Sequence, residues 1–285
     1  MKNSYRISSE KIQQSSELKE ILKALERAFE KFKIDFYLVG AVSRDIWMTG
    51  INNIQHKRTT GDIDFAVCIN DKGVYEELKE YLLKHENFTE SRENAFVLLY
   101  KNGTEVDLLP FGAIEDEERK VTVEGSGYTS VHVDGFREIF ESGLPEVKID
   151  EEVSFKFCTL PGIIILKLIA WDDRPEKRMD DIKDIADIIH HFFDMQQETI
   201  WEEHFDLFEN DDPDLTLIAA NVIGREIKKI IQQHPMLSER ISLILMRSAK
   251  DSRTSVMCRI MASHLDNTIE ENIILVNKII EGINT

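Results

Sequence analysis

Two aspartates separated by a single residue, Asp62 and Asp64, have a residue type and spacing that suit catalysis. They open the run DIDFAVCI, residues 62–69, whose alternation and β-branched content predict a strand. Successive side chains of a strand point to opposite faces. We therefore expect the two carboxylates to share one face, with Ile63 and Phe65 on the core side.

A third carboxylate, Asp107, is predicted on a neighbouring element. Residues 95–111 form two short apolar runs joined by Asn102-Gly103, a sequence typical of a tight hairpin turn. Asp107 lies on the second arm of this hairpin. Its carboxylate can join the other two if the hairpin pairs with the strand at 62–69.

Three converging carboxylates would favour a bound divalent cation. Two unit charges about 4 Å apart repel by roughly 4 kcal/mol at an effective dielectric near 20. Proton sharing or a cation relieves that repulsion. Mg²⁺ or Mn²⁺ suits oxygen ligands, and two such ions about 3.5–4 Å apart can clamp a phosphoryl displacement. In a chain with 53 acidic residues, Asp-x-Asp alone is more typical of an exposed strand end than of a metal site.

The elements before the aspartates supply further context. Helical spacing of apolar residues predicts an amphipathic helix at 15–33. The run FYLVG, residues 36–40, predicts a buried strand that ends in glycine, and AVSRDIWM, residues 41–48, predicts a helix. Such a turn lets backbone N–H groups approach phosphate oxygens at a helix N-terminus. By itself, a strand–glycine–helix turn is weak support for phosphate binding.

The pattern changes at Leu160-Pro161-Gly162. Strand and helix patterns mix before this point, and helical periodicity dominates after it. We predict an α+β fold, with a mixed sheet flanked by helices in a domain at 1–158 and a helical domain at 159–285. The predicted C-terminal helices are 162–173, 180–193, 214–233, 238–249 and 268–283.

The composition, 42% apolar and 31% charged, is typical of a globular protein, and the net charge is −18. This charge gives no basic module for binding nucleic acid by phosphate neutralisation alone. Apolar runs are too short to cross a membrane, and the N-terminus lacks the pattern of a secretory signal. Three sparse cysteines do not suggest a disulfide framework. We therefore expect a cytoplasmic protein without a membrane partner.

The combined motifs resemble the polymerase-β-like nucleotidyltransferase superfamily. Its pattern of a strand, a small-residue turn, Asp-x-Asp and a later Asp is matched by Val39-Gly40-Ala41, Asp62-Ile63-Asp64 and Asp107. Arg44-Asp45 also resembles the Arg-Asp run of tRNA nucleotidyltransferases. The resemblance is closest to the AbiEii-type (abortive-infection) nucleotidyltransferases, and covers about residues 36–195. There it extends to VDLLPFG, TLPGIIILKLIAW and DRPEKRMDDIKDIADI.

The resemblance implies a nucleoside triphosphate substrate and two Mg²⁺ or Mn²⁺ ions. It assigns catalysis and metal binding to the three aspartates, and triphosphate contacts to residues of the glycine turn. Those turn residues are Gly40, Ala41, Ser43 and Arg44. Two departures stand out. Ala41 replaces the family's second Gly or Ser, so a hydroxyl would come from Ser43, and the loop at 49–61 is an insertion carrying His56, Lys57 and Arg58.

A second cluster is predicted in the helical domain. Lys167 is the only charge in the apolar stretch 162–171, where a lysine often extends to the surface. The resemblance implies instead that it reaches the nucleotide phosphates. Asp184 would orient Lys167 or the acceptor, or else belong to a solvated acidic face. Further candidates are Asp180 and Asp187 on the same helix face, Arg174 and Arg178 as phosphate contacts, and Trp171 beside a base.

The acceptor of the predicted transfer stays open. The family resemblance suggests a tRNA 3′ end, which the acidic composition does not favour. A hydroxyl of a protein or a small molecule is the alternative. A toxin role would imply a separate antitoxin protein as partner. A third hypothesis is a catalytically idle nucleotide-binding module, which the intact set Asp62, Asp64 and Asp107 argues against.

Overall fold

A computed structural model describes residues 4–12, 15–55, 61–208 and 212–285, with the backbone alone at 15–17. The predicted loop residues His56, Lys57 and Arg58 lie outside the described residues. The chain divides into two compact units, Lys2–Thr159 and Leu160–Thr285. The described elements confirm the α+β prediction, because a mixed sheet with flanking helices is followed by helices alone.

The first unit contains ten strands and four α-helices among its described residues. The strands are β1 Ser4–Ile7, β2 Phe36–Leu38, β3 Asp62–Cys68, β4 Phe88–Glu90, β5 Val97–Tyr100, β6 Glu105–Phe111, β7 Lys120–Thr122, β8 Ser130–His132, β9 Glu146–Ile149 and β10 Val153–Lys156. The helices are α1 Ser15–Phe32, α2 Gly40–Asp45, α3 Lys72–His85 and α4 Phe136–Glu141. A π-helical stretch, Ile46–Ile51, continues α2.

The central sheet has the strand order β2-β3-β6-β5-β4. β3 and β6 run parallel, whereas the other neighbouring strands are antiparallel. The predicted hairpin therefore exists as β5 and β6, and its second arm pairs with β3. Two smaller sheets, β1-β9-β10 and β7-β8, complete the unit.

Alternation along β3 gives the central sheet two different faces. Ile63 and Phe65 are fully buried, and the Phe65 ring packs 6.2 Å from Phe29 of α1 and 6.0 Å from Phe36. On the same face, the Tyr75 hydroxyl of α3 donates to the Leu108 carbonyl at 2.9 Å. Helices α1 and α3 therefore cover the face from which the aspartates point away.

The second unit is helical in its described residues. It consists of α5 Leu160–Asp173, α6 Met179–Glu203, α7 Leu215–Ile231, α8 Pro235–Ala249, α9 Val256–Leu265 and α10 Ile269–Asn284. α6 runs ten residues beyond its predicted end at 193, and α9 has no counterpart in the sequence prediction. In the described part of the chain, no helix is long and apolar enough to cross a membrane.

Close packing of α7 against α10 leads to a first prediction. A Cβ at Gly224 of α7 would lie 2.1 Å from the Ile279 carbonyl oxygen of α10. Since backbone atoms must move to make room, we expect Gly224→Ala to lower the free energy of unfolding by about 1–3 kcal/mol. This cost outweighs the roughly 1 kcal/mol that alanine gains over glycine in helix propensity. Urea denaturation measures it, and an unchanged midpoint would show that the helices are less tightly packed.

Candidate active site

The strand register brings the third aspartate beside the first two. β3 and β6 pair in parallel with Asp64 opposite Asp107 and Asp62 opposite Glu105. Paired residues of neighbouring strands project to the same face and their backbones are about 4.8 Å apart. Asp62, Asp64 and Asp107 therefore share one face, and all three side chains are half-buried. Glu105, exposed opposite Asp62, adds a fourth carboxylate to that face, whereas the buried Val97 lies opposite Asp107 on the other side of β6.

Gly40 lies directly against the Asp64 carboxylate. It follows β2, has a left-handed φ of +65°, and begins α2. A Cβ built on it would lie 2.0 Å from Asp64 Oδ2. The backbone N–H of Val39 also donates to the Asp64 carbonyl at 2.9 Å. Glycine is needed here for both its conformation and its lack of a side chain.

The residues after Gly40 anchor the turn to the fold. Ser43 is fully buried and its hydroxyl donates to the Cys158 carbonyl at 3.1 Å. Trp47 Nε1 donates to the same carbonyl at 2.9 Å. Burial also raises the pKa of the Cys158 thiol, so this residue stays a neutral core thiol. The Ser43 hydroxyl is thus used inside the protein, and Ala41 is buried beside it.

Arg44 is placed in the interior as well. Its side chain is 1% exposed, and Nε and Nη2 donate to Asp45 Oδ1 at 3.0 and 2.8 Å. A buried guanidinium paired with a carboxylate holds local structure together. Its predicted contact with a nucleotide phosphate stays a prediction.

The second unit brings the predicted lysine to two aspartates. Lys167 of α5 is 8% exposed, and its Nζ lies 2.7 Å from Asp181 Oδ1 and 2.7 Å from Asp184 Oδ2. Asp184 thus contacts Lys167 directly and is buried instead of lying on a solvated face, and its orienting role stays a prediction. Asp181 was missed by sequence reasoning. The signal was its i, i+3 spacing from Asp184 on the buried stripe of α6.

Of the other polar residues predicted near Lys167, Arg178 reaches the cluster, with Nη1 3.8 Å from Asp181 Oδ2. Asp180 is half-exposed and pairs with Lys183 at 2.8 Å, and Asp187 contacts His264 Nε2 at 2.7 Å. Arg174 and Arg178 are exposed. Trp171, one turn after Lys167, has a buried indole nitrogen that donates no hydrogen bond within the described residues.

A group of described side chains in the second unit has metal-ligand spacing. Glu203, His204 and Glu226 offer ligand atoms within 4.8 Å of one another. The Lys229 ammonium, however, lies 2.6 Å from Glu226 and 3.5 Å from Glu203. A lysine thus already neutralises these carboxylates, and the group is best described as an ion-pair network.

Known proteins share features with this chain. The solution structure of the antibiotic-resistance factor ANT(2'')-Ia is similar to this chain at 12% sequence identity and a TM-score of 0.36, covering 80% of this chain and 95% of the other. No curated protein matches. The family model described as the nucleotidyl transferase AbiEii toxin of a type IV toxin–antitoxin system matches residues 21–235, a range that includes the glycine turn, the three aspartates and Lys167. The chain belongs to the AbiEii nucleotidyltransferase family.

Proposed function

We propose that this enzyme transfers a nucleoside monophosphate from a nucleoside triphosphate to an acceptor hydroxyl, with release of pyrophosphate. One observation carries the proposal: Asp64 and Asp107 are register partners on parallel strands, and Asp62 shares their face. Such a set of half-buried carboxylates has the chemistry of a divalent-cation site. Family membership supports the reaction type.

The donor set fits Mg²⁺, or Mn²⁺ in its place. Asp62 and Asp64 would hold two ions, and Asp107 would complete the ligand set of the one nearer the acceptor. When bound, such ions neutralise charge on the phosphates and on the attacking and leaving oxygens. The buried Val97 beside Asp107 lowers the effective dielectric there, which strengthens the attraction of that carboxylate for a cation.

The protein groups have distinct roles in the proposed reaction. The acceptor oxygen forms a bond to the α-phosphorus as the bond from that phosphorus to the pyrophosphate oxygen breaks. Asp107 receives the acceptor proton and passes it to solvent. Gly40 and Ala41 supply backbone N–H groups to the triphosphate at the start of α2. Ser43 and Arg44 hold this turn in place through Cys158 and Asp45.

The buried lysine cluster is proposed as a second nucleotide contact. Two carboxylates at 2.7 Å fix the orientation of the Lys167 ammonium, and Asp184 is the more buried of the two. We propose that this ammonium binds phosphate oxygens. The buried N–H of Trp171 one turn away would then donate to a polar edge of the nucleotide.

The biological setting follows from the family and the substrate. A type IV toxin family implies a toxin role with a separate antitoxin protein. A nucleoside triphosphate substrate favours a cytoplasmic location. For the acceptor we propose a tRNA 3′ end first and a small-molecule or protein hydroxyl second, because the net charge of −18 disfavours a polynucleotide that is held by charge alone.

Labelling separates these possibilities. The chain would be incubated with Mg²⁺ and each triphosphate, labelled on either the α- or the γ-phosphate, plus total tRNA, cell protein or small-molecule hydroxyl compounds. We expect the α-label alone to reach one acceptor class, with release of pyrophosphate. Transfer of the γ-label would indicate a kinase. Triphosphate binding without any transfer would indicate an idle module.

A further inference from the structure

An exposed aromatic surface lies at the C-terminal end of α6 and in the turn that follows. It consists of Trp201, Phe205 and Phe208, and we refer to it as the aromatic surface. The Trp201 side chain is 43% exposed and Phe205 is 65% exposed, while Phe208 is half-buried. Clustered large aromatic side chains facing solvent are unusual and commonly mark a binding site.

The three rings form one continuous patch. Trp201 stacks on Phe208 with centroids 4.0 Å apart and planes 19° apart. Phe205 completes the group, 6.2 Å from Trp201 and 6.0 Å from Phe208. Phe193 is buried beneath and lies 6.4 Å from both Trp201 and Phe208. This support fixes the rings in place, so a partner would meet a preorganised surface.

The surroundings of the aromatic surface are strongly acidic. Residues 184–224 contain eleven Asp and Glu and not a single Lys or Arg. Exposed acidic side chains on the same segment as the rings are Glu198, Glu202, Glu203 and Asp206. The nearest arginine in the sequence, Arg225, pairs with Asp206 through two hydrogen bonds of 2.9 and 2.6 Å. Glu203 likewise lies 3.5 Å from the Lys229 ammonium. The four carboxylates therefore outnumber these two basic side chains, and the aromatic surface has an acidic rim.

We propose that the aromatic surface binds a basic, amphipathic segment of a partner protein. Arginine and lysine side chains of such a segment would lie over the exposed ring faces and pair with the acidic rim. Its apolar side chains would cover Trp201 and Phe205, whose residue types are enriched at the centres of protein interfaces. This surface is independent of the proposed nucleotidyl transfer.

The charge pattern decides against two other occupants. A nucleic acid would stack on the rings, but its phosphates would meet the acidic rim, where Arg225 and Lys229 are already paired with Asp206 and Glu203. A second copy of the chain in a two-fold contact would place the same acidic rim against itself. A cationic protein segment can pack on the aromatic rings and also pair with the acidic side chains of the rim.

The test uses the full chain and three synthetic helical peptides of about 15 residues. The first places Leu at i, i+3, i+4 and i+7 with Lys and Arg between them, so that its helix has one apolar and one basic face. The second replaces the basic residues with Glu, and the third keeps the basic residues but replaces Leu with Gln. We expect the first peptide to bind most tightly, and we expect its affinity to fall with added salt. Phe205→Ala should weaken it about tenfold or more. Met236→Ala, which removes a side chain 86% exposed on α8, should leave binding unchanged.

Further variants keep the test decisive. Glu198→Gln with Glu202→Gln should weaken binding of the first peptide and reduce its salt dependence, and Trp201→Phe should retain most of the affinity. Equal binding of the first and third peptides, or equal loss in Phe205→Ala and Met236→Ala, would overturn the proposal. The proposal would also be overturned if the unaltered chain bound oligouridylate and Phe205→Ala did not. The same holds if the unaltered chain formed dimers and Phe205→Ala did not.

Discussion

Replacing Asp62 or Asp64 with asparagine is expected to reduce nucleotidyl transfer by about 10³-fold, because several kcal/mol of charge stabilisation depend on an anionic ligand set. Asparagine has nearly the same shape but removes one negative charge from a site whose ligands share one face of β3. Both side chains are half-buried, so the fold should persist. Initial rates of transfer of the α-label measure the effect.

A matched substitution distinguishes catalysis from a general loss of charge. Asp71 is the next acidic residue along the chain, exposed at the start of α3, where its carboxylate accepts a hydrogen bond from Val74 N–H at 3.1 Å. Asparagine caps a helix equally well, so Asp71→Asn should keep full activity. If Asp71→Asn and Asp64→Asn lose activity to the same extent, the aspartates of β3 are not the metal ligands.

Adding one methyl group at Gly40 is expected to reduce transfer by about 10²-fold, the effect typical of displacing a reacting group by about 1 Å. A Cβ at this position would lie 2.0 Å from Asp64 Oδ2, so the carboxylate must move. The left-handed φ of +65° adds roughly 1–2 kcal/mol of backbone strain. Steady-state kinetics and urea denaturation of Gly40→Ala report the two effects separately.

Gly103 provides the control for this strain. It lies in the turn between β5 and β6 with a φ of +89°, and a Cβ there would have no atom within 4 Å. Gly103→Ala should therefore lose similar stability and keep its activity. A Gly40→Ala enzyme that is as active as Gly103→Ala would mean that Gly40 does not set the position of the Asp64 carboxylate.

Local patterns predicted much of the geometry at the three aspartates. The alternation of β3 placed Asp62 and Asp64 on one face, and Asn102-Gly103 correctly predicted the hairpin that carries Asp107. Each of these features depends on residues close together in sequence. The prediction that Asp107 joins the other two aspartates assumed that β6 pairs with β3. The sequence did not predict this pairing, because no local pattern selects which strands become neighbours.

The environments of other predicted residues depend on distant parts of the chain. The Ser43 hydroxyl can be buried because the Cys158 carbonyl, 115 positions later, accepts its hydrogen bond. The contact of Lys167 with Asp181 requires α5 and α6 to pack with one particular rotation. A sequence pattern shows that a charge is present and gives its spacing along a helix. It does not show which partner the neighbouring element supplies.

The secondary structure also contains elements with a local sequence signal and elements without one. Strand β1 has little apolar character and is stabilised by parallel pairing with β9, more than 130 residues away, so it had no local signal. Helix α9 begins at a serine cap, Ser255, whose hydroxyl accepts from the Cys258 N–H. That serine cap is a local sequence signal for the start of a helix, although the segment before it is polar.

The central claim is that Asp62, Asp64 and Asp107 form a metal site for nucleotidyl transfer. The most direct measurement is Mn²⁺ binding, followed by electron paramagnetic resonance, with a triphosphate whose α,β-bridge cannot be cleaved. We predict about two ions bound for each chain in the presence of the analogue, and loss of both from the Asp62→Asn/Asp64→Asn variant. Equal Mn²⁺ binding by that variant and the unaltered chain would contradict the claim.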